Sequence, residues 1–123
     1  MPREQIMSYV DGFVLAVPRD RVEEYRALAA QAGAIWKDHG ALAFVECVGD
    51  DVPAGELTSF PLAVQARPDE VVVFSWIIYE SRARRDEVNA RVMADPRMPK
   101  DMAALPFDSR RMIFGGFVPI VEL

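Results

Sequence analysis

Three polar side chains interrupt stretches of the chain that are otherwise apolar. Asp11 lies within Tyr9-Val10-Asp11-Gly12-Phe13-Val14-Leu15-Ala16-Val17, Glu46 within the run from Ala41 to Val48, and Ser75 within Val71-Val72-Val73-Phe74-Ser75-Trp76-Ile77-Ile78-Tyr79. A carboxyl group set among apolar neighbours is costly unless it is paired, hydrogen-bonded or shifted in pKa. Such a group is a candidate general acid or base, and equally a candidate half of a structural ion pair. Asp11 and Glu46 are the catalytic candidates on these grounds, with Arg110 or Arg111 as the cation that could neutralise one of them.

Other reactive residue types carry weaker signals. His39, the single histidine, falls in the last turn of an expected helix, where a cation suits the helix dipole. The single cysteine, Cys47, lies on an expected strand and reads as a small buried hydrophobe. Asp50-Asp51 follows Gly49 as a turn would require, with too few ligands at defined spacing for a metal site. Trp76, Tyr79, Phe74, Phe60 and Tyr25 could line an apolar cavity closed by the proline-containing stretch from 49 to 70, which makes Ser75, Trp76, Tyr79, His39 and Arg111 the ligand-binding candidates.

The elements that must hold these residues follow from patterning. The run Val71 to Tyr79 is rich in β-branched and aromatic residues, and is too short to span a membrane as a helix. It reads as a strand, and because side chains alternate, both of its faces are apolar. The run from Tyr9 to Val17, closed by Pro18, has the same character. Between them, Val22, Tyr25, Leu28, Ala29, Ala32, Ile35 and Trp36 recur at helical spacing, with Asp20 and Glu23 expected as a capping box and Gly40 as the stop. Ala41 to Val48 reads as a second strand.

After the third strand, Ser81 is expected to cap a helix ending at Asp95-Pro96, with Val88 and Val92 inward and Arg82, Arg84, Arg85 and Arg91 outward. One short turn is expected between Pro99 and Leu105. The last strand is expected from Arg111 to Val118, where Gly115-Gly116 suggests a bulge or a close backbone approach.

The order strand, helix, strand, strand, helix, strand is the ferredoxin-like pattern, α+β with an antiparallel four-stranded sheet in the order 4-1-3-2. The two strands apolar on both faces then occupy its middle. Two helices cover one face of such a sheet, so the expected cover for the other is a second copy, giving a homodimer through sheet faces.

Length and composition bound the rest. The 123 residues are expected to form a single domain, 1–123, with residues 1–7 as a short leader. Fourteen basic against nineteen acidic residues, a net charge of −5, argue against a nucleic-acid partner, and the arginines from Arg82 to Arg91 are interrupted by Asp86 and Glu87. No signal peptide, disulfide framework or membrane segment is legible, so the expected location is cytoplasmic and no membrane partner is expected.

Over nearly its whole length the chain resembles the bacterial YbaA-like family, a domain of unknown function. The matching segments include Tyr9-Val10-Asp11-Gly12-Phe13-Val14, Val45-Glu46-Cys47, Asp51-Val52-Pro53, Val72-Val73-Phe74-Ser75-Trp76-Ile77, Asp95-Pro96-Arg97-Met98, Pro106-Phe107-Asp108 and Gly115-Gly116-Phe117. The resemblance implies a dimeric α+β barrel built from ferredoxin-like units, and it brings no reaction or catalytic residues with it. The same fold hosts haem-degrading monooxygenases with one axial histidine, but the YbaA-like pattern requires no histidine at His39, and no cofactor or metal is expected.

The functional expectation is a protein that binds a small apolar molecule between sheet and helices, as a cofactor-independent oxygenase or isomerase with Asp11 or Glu46 as base. The alternative is a non-catalytic protein-interaction module.

Overall fold

The computed structural model describes residues 8–123; the expected leader at 1–7 lies outside them. Strand β1 (Tyr9–Pro18) leads through one 3-10 turn, Arg19–Arg21, into helix α1 (Val22–His39), followed by β2 (Ala43–Val48). A four-residue helix, α2 (Phe60–Ala63), interrupts the long connection to β3 (Glu70–Tyr79). Helix α3 (Arg82–Ala94) and two further 3-10 turns, Met102–Ala104 and Ser109–Arg111, precede β4 (Ile113–Phe117).

The four strands form one open sheet in the order β2-β3-β1-β4. Counted from the β2 edge this is 2-3-1-4, and counted from the β4 edge the same sheet reads 4-1-3-2. Every neighbouring pair is antiparallel, which leaves β1 and β2, each antiparallel to β3, parallel to one another. The long apolar strands β1 and β3 pair over ten residues, from Tyr9 opposite Tyr79 to Pro18 opposite Glu70.

Alternation along β3 separates two environments. Val73, Ser75, Ile77 and Tyr79 are buried beneath the helices together with Tyr9, Asp11, Leu15 and Val17 of β1. Helix α1 adds Tyr25, Ala29 and Ile35, and α3 adds Val88 and Val92, both fully buried. On the opposite face the connection between β2 and β3 covers one end, where Val64 packs on Ala16 and Val72 and the Phe60 ring lies 5.9 Å from that of Phe74. The remainder of that face stays open, with Phe74, Ile113 and Phe117 each substantially exposed.

Several local expectations require correction. Asp20 does not cap α1: β1 pairs as far as Pro18, Arg19 N–H donates to the Asp69 carbonyl at 2.9 Å, and the intervening 3-10 turn puts Arg21 at the cap position, where its side chain makes no capping bond. Glu23 instead receives Arg26, and Glu24 receives Arg21 at 2.7 Å. Ser81 does cap α3, its hydroxyl accepting from Arg84 N–H at 3.1 Å. Gly40 ends α1 with φ of 120°, a backbone open to glycine and strained for other residues.

The paired glycines form no bulge, since the register runs unbroken from Val10 opposite Phe117 to Val14 opposite Ile113. Gly116 provides the close approach, because a methyl group there would meet the Tyr9 hydroxyl. β4 also begins later than expected, as Arg111 belongs to the preceding 3-10 turn.

Candidate functional site

The antiparallel register carries Asp11, Glu46 and Ser75 to the helix-covered face, with Asp11 opposite Ile77, Phe13 opposite Ser75, and Glu46 opposite Ser75. It does not bring the two carboxylates together. They lie two strands and two residues apart, on the order of 12 Å from the usual strand spacing of about 4.8 Å and rise of about 3.3 Å.

Asp11 is neutralised. Arg85 of α3 turns inward, against the expectation of an outward arginine, and its Nη1 donates to Asp11 Oδ1 at 2.7 Å. Its guanidinium also lies 4.9 Å from the centroid of the Tyr9 ring, the ring that fills the space beside Gly116. Tyr79, fully buried next to this pair, exchanges hydrogen bonds with Trp36 and Asn89 at 3.1 and 3.2 Å. Burial, followed by the Asp11 charge, raises the Tyr79 phenol well above its ordinary range, so it stays protonated. This cluster joins β1, β3, α1 and α3, and its ionised groups are paired.

Glu46 has different company. Tyr25 Oη donates to its Oε1 at 2.8 Å, and the Ser75 hydroxyl also bonds to it. Among the described residues no arginine or lysine forms an ion pair with it. Desolvation is the largest influence on its pKa and raises it, against the smaller lowering by the Tyr25 and Ser75 hydrogen bonds. The Tyr25 phenol is itself pushed far up, first by burial and then by the Glu46 charge.

Beside Glu46 lies a cavity of about 480 Å³. The sheet contributes Phe13, Leu15, Phe44, Ser75 and Ile77; α1 contributes Tyr25, Leu28, Ala29, Ala32 and Trp36; and the chain between the end of α3 and the start of β4 contributes Met98, Met102, Phe107 and Met112. The closing segment is therefore this second long connection, not the proline-containing stretch from 49 to 70, which crosses the opposite face. A second depression of about 370 Å³ between α1 and β2 shares Tyr25, Ala29, Phe44 and Glu46 with the first, so the Tyr25–Glu46 hydrogen bond stands where the two meet.

The other candidates fall elsewhere. His39 Nε2 lies 2.8 Å from Asp95 Oδ2, where Arg97 also bonds Asp95 at 2.8 Å and Asp38 at 2.9 Å, a tie between the ends of α1 and α3 outside the cavity. Arg97 and His39 hold the Asp95 carboxyl far below the usual carboxylate range. Arg111 neutralises neither Asp11 nor Glu46; it grips the buried Glu70 with two hydrogen bonds, at 2.8 and 2.7 Å, and reaches the Gln65 carbonyl at 2.9 Å. Arg110 pairs with Asp108.

Trp76 turns its ring to the open face beside Phe74, 5.6 Å between centroids, while its strand position borders the cavity. Cys47 is exposed on the edge strand rather than buried. No group of three or more potential metal ligands occurs among the described residues, nor does any helix long and apolar enough to cross a membrane. The pattern reading overlooked the methionines, whose spacing by itself marks no element.

Comparison with known proteins bears on this arrangement as a whole. Residues 8–109 match the family described as "Protein of unknown function (DUF1428)". The chain is 51% identical over 116 residues to "Uncharacterized protein YbaA" of Escherichia coli (strain K12), covering 94% of this chain and 99% of that protein. The same figures hold for the Shigella flexneri protein of that name. Among solved structures, the de novo designed protein Foldit4 aligns with a TM-score of 0.43 at 12% identity, over 94% of this chain and 99% of that one. The match across both strands that carry Asp11 and Ser75, both long helices and Glu46 means that the chain belongs to the DUF1428 family of proteins of unknown function.

Proposed function

We propose that this protein is a homodimer that holds a small, largely apolar molecule in the cavity beside Glu46, and that Glu46 exchanges a proton with it, as in a cofactor-independent isomerase or, with dioxygen as co-reactant, an oxygenase. One observation carries the reading: a carboxyl group without a neutralising cation faces a cavity of about 480 Å³ whose walls are otherwise mostly apolar. Desolvation raises the proton affinity of such a group, so its carboxylate is a stronger base than one in water and returns the proton as the conjugate acid. Tyr25 and Ser75 orient it, and each can stabilise the ionised state by hydrogen bonding. Asp11, committed to Arg85, serves as structural support.

The open sheet face supports the dimer. Phe74, Ile113 and Phe117 lie exposed on it, and contiguous apolar surface of that kind is uncommon on a protein that works alone. Two copies packed face to face would form the ferredoxin-like dimeric α+β barrel that the family resemblance implies. A cytoplasmic setting fits a chain with one cysteine and thus no internal disulfide framework.

Native mass spectrometry of the purified protein tests both parts. A dimer carrying a co-purified small molecule, with Glu46→Gln emptying the cavity while the dimer persists, is the expected result. The same exposed face also favours a second reading, a non-catalytic module that docks another protein. An empty cavity, or dissociation of the dimer by Glu46→Gln or Asp11→Asn, would favour the module.

A further inference from the structure

We infer that the cavity is shaped for a flat aromatic body, and that the methionines of the segment closing it select rings over saturated hydrocarbon. The inference rests on the reading of this cavity as a binding site and specifies its ligand class. The chain has six methionines, two of them at positions 1 and 7. The remaining four, Met93, Met98, Met102 and Met112, all line this one cavity.

They are not simply core filling. Met93 and Met102 are each 60% exposed, so their thioethers stand at the cavity's rim. Thioether sulfur is polarizable and makes favourable contacts with the edges of aromatic rings, and the unbranched side chain adapts to the shape it meets. A wall meant only for aliphatic chains gains nothing from sulfur, since leucine offers similar apolar contact with better-defined rotamers.

The facing walls suit the same occupant. Trp36 and Phe44 present rings 5.9 Å apart and tilted by 39°, and aromatic pairs favour offset or edge-on approach by a third ring. Ala29 and Ala32 keep the α1 wall low between them. A cavity of about 480 Å³ lies in the range that holds a small drug-sized molecule, which includes two fused rings. Glu46 is positioned to accept a hydrogen bond from a hydroxyl on such a body.

The test compares 2-naphthol with decahydro-2-naphthol by titration calorimetry on the full-length protein. The two share a carbon skeleton and the position of a hydroxyl; the aryl hydroxyl is the stronger donor to Glu46, and the leucine variant, which leaves Glu46 in place, separates that contribution from that of the methionines. The expected result is binding of 2-naphthol at least tenfold tighter, with that ratio falling to within about threefold in Met98→Leu/Met102→Leu/Met112→Leu, a change that conserves volume.

In parallel, with methionine methyl groups labelled with carbon-13 in the wild-type protein, 2-naphthol is expected to move the methyl resonances of Met93, Met98, Met102 and Met112 by ring-current shifts. Equal affinity for the two compounds, or preference for the saturated one, overturns the aromatic assignment and leaves cavity binding intact. A ring preference that survives the leucine variant, or methionine methyl signals that do not move, overturns the role of the methionines. Binding of neither compound overturns this inference together with the reading of the cavity as a site.

Discussion

Asp11 and Glu46 sit on one face of one sheet, each on a strand flanking β3, and their surroundings could hardly differ more. Asp11 meets a guanidinium at 2.7 Å, with Tyr9 and Tyr79 packed around the pair. Glu46, whose hydrogen-bond partners among the described residues are hydroxyl groups, lines the cavity. A paired carboxylate contributes to holding elements together, whereas an uncompensated one weakens the fold and is retained where its chemistry is needed. The difference teaches that one sheet face holds both a charge-compensated carboxylate that ties elements together and a carboxyl without a cation beside the cavity.

The comparison breaks most visibly at Arg85. Arg85→Ala leaves Asp11 charged and buried without a cation, and is expected to cost roughly 3–5 kcal/mol in urea unfolding. Asp11→Asn is expected to cost distinctly less, because Arg85 keeps Asp86 at 2.8 Å. Equal losses would mean that the pair does not stabilise through charge compensation.

Next in size is Gly116→Ala. The added methyl group collides with the Tyr9 ring and hydroxyl, and overpacking of that kind costs about 1–3 kcal/mol. Urea unfolding would measure it, and a neutral result would show that the Tyr9 ring has room to move.

At Glu46 the sign reverses. Its folded pKa lies above the ordinary value of 4.5, so the folded state binds the proton more tightly and ionisation weakens the fold. The penalty is absent below the ordinary value, grows through the window between that value and the raised one, and is complete above it. Glu46→Gln is therefore expected to stabilise the protein at neutral pH, with the gain disappearing in acid. Thermal melts across pH would reveal it, and destabilisation at neutral pH would remove the contrast with Asp11.

Tyr25→Phe sharpens the same point with a smaller effect. Loss of its donated hydrogen bond is expected to raise the Glu46 pKa further, visible as a later midpoint for the side-chain carboxyl carbon in an NMR titration. Asp108, outside both regions, supplies a surface reference. Hydrogen bonds from Arg110 hold its pKa down to about 2, so its contribution is present above its ordinary value of 3.8 and lost as pH falls through about 2. Asp108→Asn is expected to flatten only that last acid step in a thermal-melt series.

Much of the scaffold could be read from residue patterns. β1 and β3 announced themselves as central strands because long apolar runs are sheltered better between two neighbouring strands than at a sheet edge. Ser81 as a cap and Gly40 as a stop were legible because each acts within a few residues of its own position. Asp20 misled because pairing between β1 and β3 continues to Pro18, and that long-range hydrogen bonding overrides a local capping preference. Glu46 and Ser75 were recognisable as polar residues on apolar strands, but the register between β2 and β3 was needed to put them on one face.

The sequence by itself determined where the four strands and the two long helices lie, and that Asp11 and Ser75 would interrupt apolar strands, because alternation and helical periodicity are properties of neighbours along the chain. Only the tertiary structure decided that Arg85 turns inward to Asp11, that Arg111 goes to Glu70, and that the segment from Met98 to Met112 closes the cavity while the stretch from 49 to 69 crosses to the far face. Those outcomes depend on how a helix rotates as it docks and on which side of the sheet a connection leaves, and both are settled by packing between residues far apart in the chain.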